Sequence, residues 1–206
     1  MEKVFEFVEK MCWKYCIDES HNVTHSLDCV QFANVLIDAQ AETISNDEKT
    51  VILFAAAVHD TVDKKYTQSS LAVEEVRDFF ESIDLPHELI DAIVDIITTM
   101  SYSYLLDRQK NGLSFPFPDH GKWQNAYHIV RHADLLCSYR VKRCLQYQKH
   151  LTPYISDEDA MEKVRHLFQV RVFAYRVNGW LTLDKAVELS IDLEREAKKD
   201  LMQLQI

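Results

Sequence analysis

His59 and Asp60 stand side by side at the end of an apolar run, Val51-Ile52-Leu53-Phe54-Ala55-Ala56-Ala57-Val58. A segment apolar on every side belongs inside a protein. There an imidazole and a carboxylate are costly to bury unless something compensates them. Such a pair is half of a metal site, and two further residues of ligand type can complete it. His25 begins a helical stretch just after a polar loop. Asp134 lies inside another, His132-Ala133-Asp134-Leu135-Leu136, although aspartate is a poor mid-helix residue by propensity alone. Two imidazoles and two carboxylates (His25, His59, Asp60, Asp134) suit one divalent cation of intermediate hardness, Mn²⁺, Fe²⁺, Co²⁺, Ni²⁺ or Mg²⁺. In an octahedral sphere, four protein ligands leave positions for water or substrate oxygens.

The elements that must position these residues read as helices nearly throughout. Val4, Phe5, Val8, Met11, Cys12 and Tyr15 recur at helical spacing and predict a first helix over about residues 1–16. A polar loop, Asp18-Glu19-Ser20-His21-Asn22, precedes a second helix over about 24–40. Ser45 and Glu48 have capping-box spacing and open the buried third helix, which ends near His59. Amphipathic stretches around Leu71–Phe80 and from Pro86 to Ile97 give the fourth and fifth. From Tyr102 to Lys122 the periodicity breaks, with Gly112, Pro116, Pro118 and Gly121 marking an irregular insertion. Helix resumes from Trp123 to about Tyr147. Ser156 caps a seventh helix and Thr182 a last one, ending near Gln203. No repeat or linker divides the chain, so the expectation is an all-α bundle, a single domain over residues 1–206.

Composition agrees and excludes some functions. The 206 residues are 47% apolar and 27% charged, enough for a full core, and only 3 Gly and 4 Pro disfavour a loop-rich β architecture. A net charge of -10 argues against a nucleic-acid surface. No run is long enough to span a bilayer, and the N-terminus has neither a basic nor an apolar leader region. Five cysteines are an odd number, pointing to free thiols and a cytoplasmic setting. Cys12 and Cys16 share a helix face, but no second pair at zinc-finger spacing accompanies them. His132 and Asp134, two apart on a helix, point in different directions, which disfavours a second metal held with His128.

The ordered set His25, His59-Asp60, Asp134 resembles the H…HD…D signature of the HD-domain metal-dependent phosphohydrolases. The flanks extend the likeness. Asp18 to Val30 resembles the "D-x-S-H-D-x-x-H-x-x-R-V" opening of a small single-domain bacterial group in that superfamily. His59 to Lys65 resembles its "H-D-x-x-D-x-K" segment, and His132 to Leu136 its "D-A-D-x-L-D". The chain departs from the pattern at Asn22, at Asp28-Cys29 and at Cys137, none of which removes a ligand.

The resemblance implies an HD-type helical bundle that hydrolyses a phosphoester or phosphoanhydride bond of a small phosphate compound, a nucleotide first among the candidates. Asp60 then acts as ligand and orients or deprotonates the attacking water. Asp63 is the candidate second base, Lys64 and Lys65 are candidates to neutralise phosphate charge, and His21 is a candidate substrate contact. The competing expectation, motivated by the departures, is a nucleotide-binding regulatory module without turnover.

Overall fold

A computed structural model describes residues 1–112 and 117–203. Ten α-helices appear among them: α1 (Glu2–Tyr15), α2 (Val23–Asp38), α3 (Asn46–Val58), α4 (Ser69–Ser82), α5 (His87–Thr99), α6 (Tyr102–Lys110), α7 (Gln124–Cys137), α8 (Val141–Leu151), α9 (Asp157–Leu167) and α10 (Asp184–Gln203). No strand occurs among the described residues, and the chain is an all-α helical bundle.

The apolar run identified above is the spine of this bundle. Val51, Ile52 and every residue from Ala55 to Val58 are fully buried, and α3 packs against α1, α2, α5 and α7. Three successive alanines let those neighbours approach closely. The Ser45 hydroxyl accepts the Glu48 N–H at 3.1 Å, while the Glu48 carboxylate accepts from Asn125 at 3.2 Å. The predicted cap therefore forms, and its acidic partner ties α3 to α7. After Val58 the helix tightens into a 3-10 turn, His59–Val62, which ends the spine where the polar pair begins.

Three boundaries differ from the sequence expectation. The segment expected to be irregular opens with α6, whose first turn is capped by the Ser101 hydroxyl accepting from Tyr104 N–H at 3.3 Å; Pro116 and Phe115 lie outside the described residues. The single helix expected from Trp123 to Tyr147 is two. Ser138 turns its hydroxyl onto the Leu135 carbonyl at 2.6 Å, and Arg140 is extended (φ -77°, ψ 99°), so α8 leaves on a new axis. Thr182 does not cap the last helix, which begins at Asp184. Its N–H donates instead to His132 Nε2 at 3.0 Å. Among the described residues no single helix is long and apolar enough to cross a membrane; α5 and α6 have the apolar length only together, and they bend by 65°.

Candidate metal centre

Three helices deliver the four expected ligands to one place. Asn22 caps α2 by accepting from Thr24 N–H at 2.9 Å, which sets His25 in the first helical turn, facing α7. His59 and Asp60 sit where α3 tightens, and Asp134 looks across from α7, which packs along both α2 and α3. His25 Nε2 lies 3.2 Å from Asp60 Oδ2 and 3.4 Å from Asp134 Oδ1. His59 Nε2 lies 3.4 and 3.7 Å from the same two oxygens. Donors bound at roughly 2.0–2.2 Å to one ion stand about 3–3.5 Å apart, so this ion-paired spacing is one that a metal ion could also occupy.

The hydrogen bonding points the same way. His59 Nδ1 donates to the Ala56 carbonyl at 3.0 Å, which fixes the ring and leaves the Nε2 lone pair facing inward, as in histidines that ligate metals. His59 Nε2 and Asp60 Oδ2 are both buried without a hydrogen-bond partner. Unpaired buried lone pairs are costly, and a cation among them removes the cost. The donor set therefore fits a divalent ion, and a buried group of His25, Cys29, His59 and Asp134 has its ligand atoms within 4.8 Å of one another.

Without an ion, the imidazoles and carboxylates hold each other's charge. Burial and the Arg143 charge push His25 down, but the facing Asp134 and Asp60 carboxylates outweigh them and hold it well above the usual histidine value. Burial also opposes charge on His59, and Asp60 with Asp134 raises it. Burial would raise Asp60 and Asp134, yet the histidines hold both below the usual carboxylate range.

The remaining expected site residues divide. His21 stands beside the centre, its ring centroid 6.0 Å from that of His25 and 4.9 Å from that of Tyr147. Its Nδ1 lies 3.2 Å from Asp18 Oδ2, an oxygen that also accepts from the Tyr66 hydroxyl. Lys65 reaches over the Tyr147 ring, 5.2 Å from its centroid, and pairs with Asp63 Oδ2 at 3.0 Å. Asp63 Oδ1 accepts the Lys65 N–H at 2.9 Å, so Lys65 engages both Asp63 oxygens, and Asp63 is outside the four-residue group. Lys64 is exposed.

Two further residues join the site: Cys29, which sequence reasoning did not place there, and Arg143, which it left facing either the site or solvent. Cys29, one helical turn beyond His25, has its Sγ 3.5 Å from His25 Nε2 and 3.5 Å from Cys137 Sγ; the four-residue spacing from His25 was its signal. Arg143 brings Nη1 within 3.5 Å of His25 Nε2. Extending α7 as one straight helix favours Arg131 or Tyr127 for the Asp134 face, whereas the break at Ser138 turns Arg143 inward. Arg131 points elsewhere, with Nη2 donating to His132 Nε2 at 2.9 Å and Nη1 bonded to the Trp180 carbonyl. His132 Nε2 is thus occupied, and His132 stays apart from Asp134, as its helical position requires.

No protein-family model matches the sequence, and no curated protein matches it. A solved structure does: a structural-genomics crystal structure of a Lactobacillus plantarum protein superposes with a TM-score of 0.70 at 17% identity, over 99% of this chain and 94% of that one. At that identity the likeness establishes a shared all-α fold along the whole chain.

Proposed function

We propose that this protein is a divalent-metal-dependent phosphohydrolase of the HD type, acting on a phosphoester or phosphoanhydride bond of a small phosphate compound, a nucleotide first among the candidates. The observation that carries the proposal is the inward-facing, unpaired lone pair of His59 beside the unpaired Asp60 Oδ2, closed on the other side by His25 and Asp134. His25, His59, Asp60 and Asp134 hold the ion. When bound, it supplies Lewis acidity toward a phosphoryl oxygen and toward water.

The chain's own residues supply the rest. The Ala56 carbonyl keeps the His59 ring in the tautomer that leaves Nε2 free. Asp60 is ionised at neutral pH, so its carboxylate can accept a hydrogen bond from the attacking water and orient it. Asp134, whose side chain is 29% exposed, leaves the centre open to solvent on the α7 side. Lys65, anchored by Asp63, adds positive charge on the Asp60 side, where negative charge develops as the phosphoryl group transfers.

The test is a panel of nucleoside mono-, di- and triphosphates and simple phosphomonoesters assayed with Mn²⁺, Co²⁺, Ni²⁺ and Mg²⁺, reading orthophosphate and pyrophosphate separately. Metal-dependent release lost in His59→Ala and Asp60→Ala is expected. Full activity in both variants contradicts the proposal. Tight nucleotide binding without product favours the regulatory module instead.

A further inference from the structure

Arg143 is a partly buried cation, its charge opposed by burial and favoured by the nearby Asp134 carboxylate. Its Nη1 lies 3.5 Å from His25 Nε2 and 3.3 Å from the Ser20 carbonyl, and its Nε is buried with no partner. Four other arginines pair with carboxylates: Arg77 with Asp91, Arg140 with Asp28, Arg176 with Glu194 and Arg195 with Asp192; buried Arg131, whose Nε is also unpartnered, has the Trp180 carbonyl and His132 instead. Among the described residues no carboxylate oxygen comes within 4 Å of Arg143. An ion held on His25 Nε2 sits about 2 Å from that nitrogen, which puts two like charges close together in a partly buried site. In the centre proposed above, Asp60 and Asp134 balance the two charges of the ion, which leaves the Arg143 charge over for an anion.

The anion must present oxygen to a hard cation on one side and accept a planar fork of N–H donors on the other. A phosphoryl group does both. A cleft of about 490 Å³ has His25, Arg143, Arg140 and Lys142 in its lining, with four acidic residues on its other walls, which is room for a small organic phosphate.

We infer that Arg143 is the residue of this site that binds a phosphoryl oxyanion, bridging it to the metal position on His25. The inference rests on the metal centre proposed above and adds the group that selects its ligand. Inorganic phosphate is the probe, because it carries the shared chemistry of substrate and product.

The experiment is a calorimetric titration of orthophosphate into the full chain loaded with one equivalent of Mn²⁺, for wild type, Arg143→Ala, Arg143→Lys and Arg77→Ala, with circular dichroism to verify folding. Phosphate affinity should fall at least about tenfold in Arg143→Ala, a loss of roughly 1.4 kcal/mol, and by less in Arg143→Lys. It should be unchanged in Arg77→Ala, whose side chain pairs with Asp91 away from the cleft. Mn²⁺ affinity should hold or rise in Arg143→Ala, because a positive charge has been removed, whereas a merely structural role would lower it together with phosphate affinity. Phosphate affinity within twofold of wild type in Arg143→Ala at full Mn²⁺ occupancy overturns the inference, as does parallel loss of both affinities in both Arg143 variants. Wild type that takes up no Mn²⁺ overturns the metal centre itself, a distinct result.

Discussion

Helix α7 carries two buried polar clusters, and they are built in opposite ways. On one side Asp134 meets His25, His59 and Asp60. On the other, His128, Arg131 and His132 gather with Thr182 and the Trp180 carbonyl. Both are rich in histidine, so residue type alone does not separate them. The first contains carboxylates and leaves acceptors unmet; the second has a guanidinium and engages its acceptor, His132 Nε2, the unmet atoms there being the nitrogens His132 Nδ1 and Arg131 Nε. Burial and the Arg131 charge push His128 down to about 4 and His132 well below the usual value, so both rings are neutral pieces of core. A buried histidine cluster points to a metal only when its lone pairs have nothing else to do.

The largest expected contrast comes from removing one member of each cluster. Asp134→Ala should weaken Mn²⁺ binding by at least about 100-fold, beyond the range typical of outer-shell losses, and leave the fold intact. His132→Ala should keep Mn²⁺ affinity but destabilise the protein by about 2–3 kcal/mol, because Arg131 and the Thr182 N–H lose a buried acceptor. Thermal unfolding with and without Mn²⁺ separates the two, and metal loss in His132→Ala would erase the distinction drawn here.

Proton linkage should sharpen it further. In the metal-free centre the histidines are raised, so their contribution to stability is full below about pH 6.5 and is lost as pH rises through their folded values. The carboxylates are lowered, so theirs is present above about pH 4 and is lost on further acidification. The metal-free centre is therefore most stabilising between about pH 4 and 6.5. An ion needs neutral imidazoles and competes with those protons. The thermal shift produced by Mn²⁺ should accordingly be larger at pH 8 than at pH 6; a shift independent of pH would contradict the linkage. The smallest effect expected is from Cys29→Ser. If the thiol only packs against His25, Mn²⁺ affinity should change less than about threefold, and a Co²⁺ complex should lack the near-ultraviolet charge-transfer absorption of a thiolate ligand.

Much of this was legible in the sequence, for physical reasons that can be named. The apolar run over Val51–Val58 announces a buried helix, and a polar pair ending it demands partners, so His25 and Asp134 were found by ligand chemistry and helical context. The all-α bundle followed from periodicity and scarce glycine. What was not legible depended on local competition that spacing does not report. Ser138 bonds back to Leu135 and breaks a helix that periodicity reads as continuous, which is why Arg143 rather than Arg131 reaches the centre. Thr182 looks like a cap, yet its N–H serves His132. Asp63 has the spacing of a second base, yet Lys65 holds both its oxygens.

The most direct test of the centre is metal stoichiometry. Purified without chelator, equilibrated with Mn²⁺ or Co²⁺ and desalted, the wild-type chain should retain one ion per molecule, measured by elemental analysis. His59→Ala and Asp60→Ala should each retain almost none. No retained ion in wild type, or equal retention in the two variants, would contradict the claim that His25, His59, Asp60 and Asp134 form one metal centre.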